Sequence, residues 1–83
     1  LRWSKRKNIR GTIILDETGL PIQTDFSSET TTYVSSGTLA LLESIRTFVE
    51  CLDEGGLYFV KLETTRGEVL VIPEKSKTSI NII

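Results

Sequence analysis

Two adjacent carboxylate pairs, Asp16-Glu17 and Asp53-Glu54, and one thiol, Cys51, are the side chains of this 83-residue chain best suited to proton transfer or nucleophilic attack. None of them has the neighbour such chemistry needs. The chain contains no histidine, which removes the commonest general base, the Ser-His and Cys-His nucleophile pairs, and the commonest transition-metal ligand. A single cysteine cannot build a thiolate zinc site. Neither G-x-x-x-x-G-K-[ST] nor G-x-G-x-x-G occurs, so no phosphate cradle is signalled. Asp16-Glu17 falls in a predicted turn and Asp53-Glu54 at a predicted helix end, where solvation or capping accounts for the acids. Cys51 lies on a helix flank, where packing of a small thiol accounts for it. The chain therefore reads as a non-enzyme, with no catalytic, cofactor-binding or metal-binding residue and no cofactor.

The hydrophobic fraction of 39% and charged fraction of 25% belong to an ordinary globular domain. Net charge is −1, unevenly spread: residues 1–10 carry Arg2, Lys5, Arg6, Lys7 and Arg10 with no acid, while the rest hold 5 basic groups and all 11 acidic ones. Such an arm can bind nucleic acid or anionic lipid. With Trp3 its only interleaved aromatic, a solubilising tail or the exposed face of a helix remnant is the better reading, and nucleic acid is disfavoured as a partner. One cysteine excludes an internal disulfide and suggests a reducing compartment. No apolar run reaches transmembrane length, and no apolar stretch of signal-peptide type follows the basic residues. A cytoplasmic location without membrane insertion is the expectation.

The elements that must position these residues follow from local pattern. Gly11-Thr12-Ile13-Ile14-Leu15-Asp16 is a β-branched run, Glu17-Thr18-Gly19 a turn, and Leu20 to Asp25 a second extended run, together a hairpin with Gly19 available for positive φ. Ser27 is the best N-cap for a helix over Thr30 to Leu52, with Glu29 favourable in the first turn. At helical spacing Val34, Thr38, Leu41, Ile45, Phe48 and Leu52 form the expected core face, and Glu43, Arg46, Thr47 and Glu50 the opposite one. Gly55-Gly56 is the expected stop. Strands are predicted over Leu57 to Thr64, Glu68 to Ile72 and Thr78 to Ile83, joined by short turns as in an antiparallel meander. The result is an α+β domain over residues 11–83: a five-stranded antiparallel sheet with one long helix packed on it, in the order β-β-α-β-β-β. Residues 1–10 form a basic arm or the remnant of a first helix.

Two features point to association. Beside the helix core face runs a second stripe, Tyr33, Gly37, Ala40, Ser44 and Cys51, small apart from the tyrosine and suited to the close approach of another helix. A helical glycine costs about 1 kcal/mol relative to alanine, so Gly37 asks for a compensating contact; the plain alternative is that the stripe skirts the protein's own sheet. Leu39 projects on the polar side and is weak support for a contact surface. In the strand from Leu57, the residues Tyr58, Val60 and Leu62 are apolar on one side while Leu57 and Phe59 are apolar on the other. Such a strand is covered on both sides or has an occupied edge. Pairing with a second copy about a two-fold axis is the simplest account.

The ordered set of Gly11-Thr12-Ile13-Ile14-Leu15-Asp16-Glu17-Thr18-Gly19-Leu20-Pro21-Ile22, Thr30-Thr31, the strand Leu57-Tyr58-Phe59-Val60-Lys61-Leu62-Glu63, and Glu68-Val69-Leu70-Val71-Ile72-Pro73 resembles the Roadblock/dynein light chain family over residues 9–83. The resemblance implies a Roadblock-like two-layer domain and a dimer, with itself or a paralogue, in which the long helices lie side by side and two sheets join through the third strand. By position the implied interface includes Gly37, Ala40, Leu41 and Ser44 on the helix and Leu57, Tyr58, Phe59, Val60 and Lys61 on the strand, with Tyr33 from the stripe. Implied functions are scaffolds for small Ras-like GTPases, activators of them, and light chains of a motor. A dimerisation module that binds and scaffolds or regulates a small Ras-like GTPase is the leading expectation, the dynein light-chain-type or general scaffold without GTPase contact the alternative, with a ligand-sensing domain and a basic-arm nucleic-acid binder behind them. Arg46 and Arg66 are the arginines to test for GTPase contact, beside Leu39. Family members usually begin with a helix before the first strand; a short variant would leave one sheet face open and apolar.

Overall fold

The computed structural model describes residues 9–83. Strands β1 (Gly11–Asp16) and β2 (Pro21–Thr24) form a hairpin, α1 (Ser28–Leu52) follows, and β3 (Val60–Thr64), β4 (Gly67–Pro73) and β5 (Lys77–Ile82) complete the chain. All pairings are antiparallel and the sheet order is β2-β1-β5-β4-β3. This is the expected α+β architecture. The last strand lies in the middle because β5 pairs with β1 from Gly11↔Ile82 to Asp16↔Lys77 and with β4 from Val69↔Ile82 to Pro73↔Thr78.

One row of the sheet shows why it folds this way. Ile13, Ile80, Val71 and Val60 are consecutive ladder partners across β1, β5, β4 and β3, all buried, and Leu42 of α1 joins them in one core cluster. Burying each such side chain contributes about 1.5–3 kcal/mol. Phe26 closes the end of this layer over Gly11, where an added Cβ would overlap the ring. Ser27 is the N-cap, accepting from the Thr30 N–H at 3.2 Å.

The structure corrects four details. The buried face of α1 is Thr31, Ser35, Thr38 and Leu42, so the helix is rotated relative to the expected core face. Val34 and Ile45 are half-buried against the core, whereas Leu41, Phe48 and Leu52 are exposed. The helix stops at Asp53, not at the glycines: Asp53 adopts the left-handed conformation (φ 56°), its N–H donates to Glu50 O and the Glu54 N–H to Val49 O. Asp is among the few non-glycine residues that tolerate this cap. Strand β3 starts at Val60 rather than Leu57, since the ladder position opposite Tyr58 falls to Pro73, which has no N–H to give.

The fourth concerns the sheet face turned away from α1, expected to be open and apolar. Leu70 on that face is only 2% exposed and Ile14 and Ile72 are half-buried. Across its middle runs a polar row instead, Thr12 Oγ1 to Asn81 Oδ1 at 3.3 Å and Asn81 Nδ2 to Ser79 Oγ at 3.0 Å. Of the basic arm, Arg2, Lys5, Arg6 and Lys7 lie outside the described residues. Arg10 extends the sheet, its backbone N–H donating to Ile82 O at 2.6 Å and its guanidinium to Ile83 O at 3.2 Å.

Candidate functional site

The carboxylate pairs are placed as structural groups. Asp16 Oδ1 accepts from the Thr18 N–H (2.9 Å), the Thr18 hydroxyl (2.7 Å) and the Leu20 N–H (2.9 Å), which ties the β1–β2 turn into a closed Asx loop. The Thr18 hydroxyl, followed by the Leu20 N–H, holds its carboxyl below the ordinary value of 3.8. Gly19 supplies the positive φ of this turn (91°), and Leu39 sits on it closely enough that a Cβ there would lie 2.6 Å from Leu39 Cδ1. Leu39 thus packs on the hairpin turn rather than projecting freely. Asp53 is the helix cap just described, and Cys51 is exposed on α1. Among the described residues, no three of His, Cys, Asp and Glu are grouped to hold a metal ion.

A shallow groove of about 670 Å³ lies between this turn, the polar side of α1 and the β4–β5 turn. Glu17, Glu43, Glu50 and Glu74 line it together with Arg46, Lys75 and Lys77. The charges are of both signs. Arg46 faces this groove, whereas Arg66 sits in the β3–β4 turn at the other end of β4, its N–H donating to Thr64 Oγ1 at 3.2 Å. The fold does not bring the two arginines together.

The exposed apolar surface is organised differently. Along α1, Tyr33 (82% exposed), Gly37, Ala40, Leu41, Ser44, Phe48 (64%), Cys51 and Leu52 all face outward. Steps of three and four keep Tyr33, Gly37, Ala40, Ser44 and Cys51 on one side of the helix, the repeat of a helix–helix seam. A Cβ built on Gly37 meets nothing within 4 Å, so the protein's own sheet does not explain the glycine. The plain alternative for the stripe, that it skirts the sheet, is not what is observed. Phe48 and Leu52, assigned to the core by hydropathy, extend this surface instead. The signal for them was present: Phe48 stands seven residues from Leu41, the same repeat that relates Gly37 to Ser44 and Ser44 to Cys51.

The second part of the surface is the β3 edge, which pairs with β4 on one side and ends the sheet on the other. Tyr58 (87% exposed), Phe59 and Leu62 (43%) lie along it. Of the other residues expected there, Val60 on β3 turns its side chain into the core cluster, and Leu57 packs half-buried against that cluster. Lys61 is exposed but its ammonium lies 3.3 Å from Glu68 and 3.4 Å from Glu63. Hydrogen bonding to Glu68, then to Glu63, raises it above the ordinary lysine value of 10.5. No helix among the described residues is long and apolar enough to cross a membrane. Compared with known proteins, residues 2–83 match the sequence model of the Roadblock/LC7 domain.

Proposed function

This chain belongs to the Roadblock/LC7 domain family of small non-enzymatic adaptor and dimerisation domains, and from that premise we propose that it acts as a homodimeric adaptor for a small Ras-like GTPase. The observation that carries the dimer is the exposed apolar surface formed by the α1 stripe and the β3 edge. A row of exposed apolar side chains with a glycine and serine at its centre is costly to leave in water and suited to a neighbouring helix. The dimer seam is formed by Tyr33, Gly37, Ala40, Leu41 and Ser44, with Tyr58, Phe59 and Lys61 on the strand and Leu57 and Val60 supporting them from the core. Domains of this family commonly dimerise with paralogues, so a paralogue is the alternative partner for the same surface. The GTPase assignment is supported by the family resemblance; Arg46 and Arg66 are its exposed basic candidates, and a motor light-chain or general scaffold role is the outcome if no GTPase binds. A cytoplasmic setting is consistent with the lone exposed cysteine.

Light scattering across a dilution series tests the dimer, with twice 9.3 kDa as the expected mass. Gly37→Leu leaves a folded monomer, because the added side chain meets nothing within the subunit but blocks the seam. Retention of the full dimer mass by Gly37→Leu would place the seam elsewhere. Capture of Ras-like GTPases, loaded with GDP or a GTP analogue, then tests the partner: binding to neither form leaves the scaffold reading.

A further inference from the structure

We infer that α1 has a second seat on its own sheet, and that a subunit without a partner rolls the helix into that seat and covers the flank of its own seam. The inference rests on the dimer reading above and concerns what the chain does before it pairs. At about 100° per residue, the buried residues Thr31, Ser35, Thr38 and Leu42 occupy one arc of the helix, about 60° wide. Val34, Leu41, Ile45, Phe48 and Leu52 occupy a second arc of about 60°, centred about 80° away. The first arc holds three hydroxyls and one leucine, the second only apolar side chains. The observed seat is therefore the less apolar of the two. It also buries Ser35 to 5% exposure with no hydrogen-bond partner for its hydroxyl among the described residues, a cost that contact with water removes.

The sheet has room for the second arc. α1 lies mainly over β1 and β2. Its Leu39 side faces the β1–β2 and β4–β5 turns, so Leu41 and Phe48, about 160–180° away around the helix, face the opposite end of the strands. There Leu62, Val69 and Ile82 are consecutive ladder partners. They lie on the α1 side of the sheet, each two residues from the buried row of Val60, Val71 and Ile80. Their cover is incomplete: Leu62 is 43% exposed, and Val69 and Ile82 are half-buried. A roll of about 45° brings Leu41 and Phe48 down onto this row and turns Ser35 out to water, while Thr31 stays over the sheet within reach of Thr24. Phe48 and Leu62 then cover each other, which removes two exposed apolar side chains from water. The same roll turns Gly37 and Ser44 from the outward side toward the flank, so the small-residue stripe no longer faces a second copy. Association selects the observed seat, because only that seat presents the stripe.

Two probes in the full chain carrying Cys51→Ser test the roll, because it moves them in opposite directions. Ser35→Cys, buried in the observed seat, reacts slowly with a thiol reagent in the dimer and about tenfold or more faster once dilution gives the monomer mass. Val71→Cys, in the buried row of the sheet, stays slow in both and separates a roll from unfolding. Phe48→Trp, with Trp3→Phe so that it is the lone indole, is shielded from iodide in the monomer. Where dilution does not separate the dimer, Gly37→Leu supplies the monomer for both probes. A thiol at position 35 as slow in the monomer as the one at position 71 overturns the second seat and leaves the dimer standing. An indole at position 48 open to iodide in the monomer does the same, since a helix that merely loosens exposes both positions. A monomer mass at every concentration overturns the dimer reading, and the two probes then decide the roll by the same criteria.

Discussion

Strand β2, at one edge of the sheet, is four residues long, starts on Pro21 and meets β1 through an irregular register at Ile14/Leu15, whereas β3, at the other, runs straight from an exposed apolar segment into five paired residues. Proline, brevity and a bulge are the devices by which proteins stop an edge from pairing with another chain. β2 has all three and is further tied to α1 by the 2.8 Å hydrogen bond between Thr24 and Thr31. β3 has neither proline nor bulge but two charged residues, Lys61 and Glu63, and the Lys61 ammonium is drawn to Glu68 on the neighbouring strand and to Glu63. On the dimer reading proposed above, this open edge beside the outward-facing apolar stripe of α1 is the one a second copy occupies. The opposite edge, although Leu20 and Ile22 are exposed there, is built to stay single.

The most damaging test removes what both edges share. Ile80→Ala, in the strand between them and fully buried, lowers stability by about 2–5 kcal/mol in urea unfolding, and both edges melt together. Ile45→Ala, half-buried, costs less. Next, a charge at one edge and not the other separates them: Leu62→Asp weakens self-association about tenfold or more, the loss of a central interface contact, while Ile22→Asp leaves the solution mass unchanged. Equal loss from both would end the distinction. Thr31→Ala removes the tie that belongs to β2 alone and costs about 1 kcal/mol of stability without altering dimer affinity.

The smallest effects are in pH and have opposite signs at the two edges. Asp16 titrates below its ordinary value, so the β1–β2 turn gains stability above the ordinary carboxylate range and loses it as pH falls through the lowered value. Lys61 titrates above its ordinary value, so its contribution to β3 is complete below the ordinary lysine range and is lost as pH rises through the raised value. Thermal melts should show acid sensitivity reduced in Asp16→Asn and alkaline sensitivity reduced in Lys61→Met, each with the other limb intact.

The strands were legible because alternation, Gly19 and Pro73 mark their limits, and the Ser27 cap marked the helix start. The facing of α1 was not. Leu41, Phe48 and Leu52 are more hydrophobic than Thr31, Ser35 and Thr38, yet the latter are buried. Hydropathy assumes one apolar face, and α1 has two, one on its own sheet and one exposed with Leu41, Phe48 and Leu52. Small polar residues fit close to a sheet, where the Thr31 hydroxyl finds Thr24, and nothing in periodicity says which of two stripes goes inward. The stripe around Gly37 was legible because a glycine inside a helix needs a reason. The division of Leu57 to Lys61 between core and surface was not, because it depends on where the β4 ladder ends.

The central position of β5 also bears on how the chain acquires its shape. Each hairpin is closed by a local turn, but β1 and β5 join residues about sixty to seventy positions apart, from Asp16↔Lys77 to Gly11↔Ile82. Contacts of such long range are slow to form, since chain entropy is lost before they contribute anything. Until the β4–β5 hairpin docks on β1, β1 and β5 each present an unprotected inner edge, and a crowded population of half-folded chains can cross-pair there. Slow closure of β1 on β5 therefore lengthens the time in which a half-folded chain is exposed to aggregation.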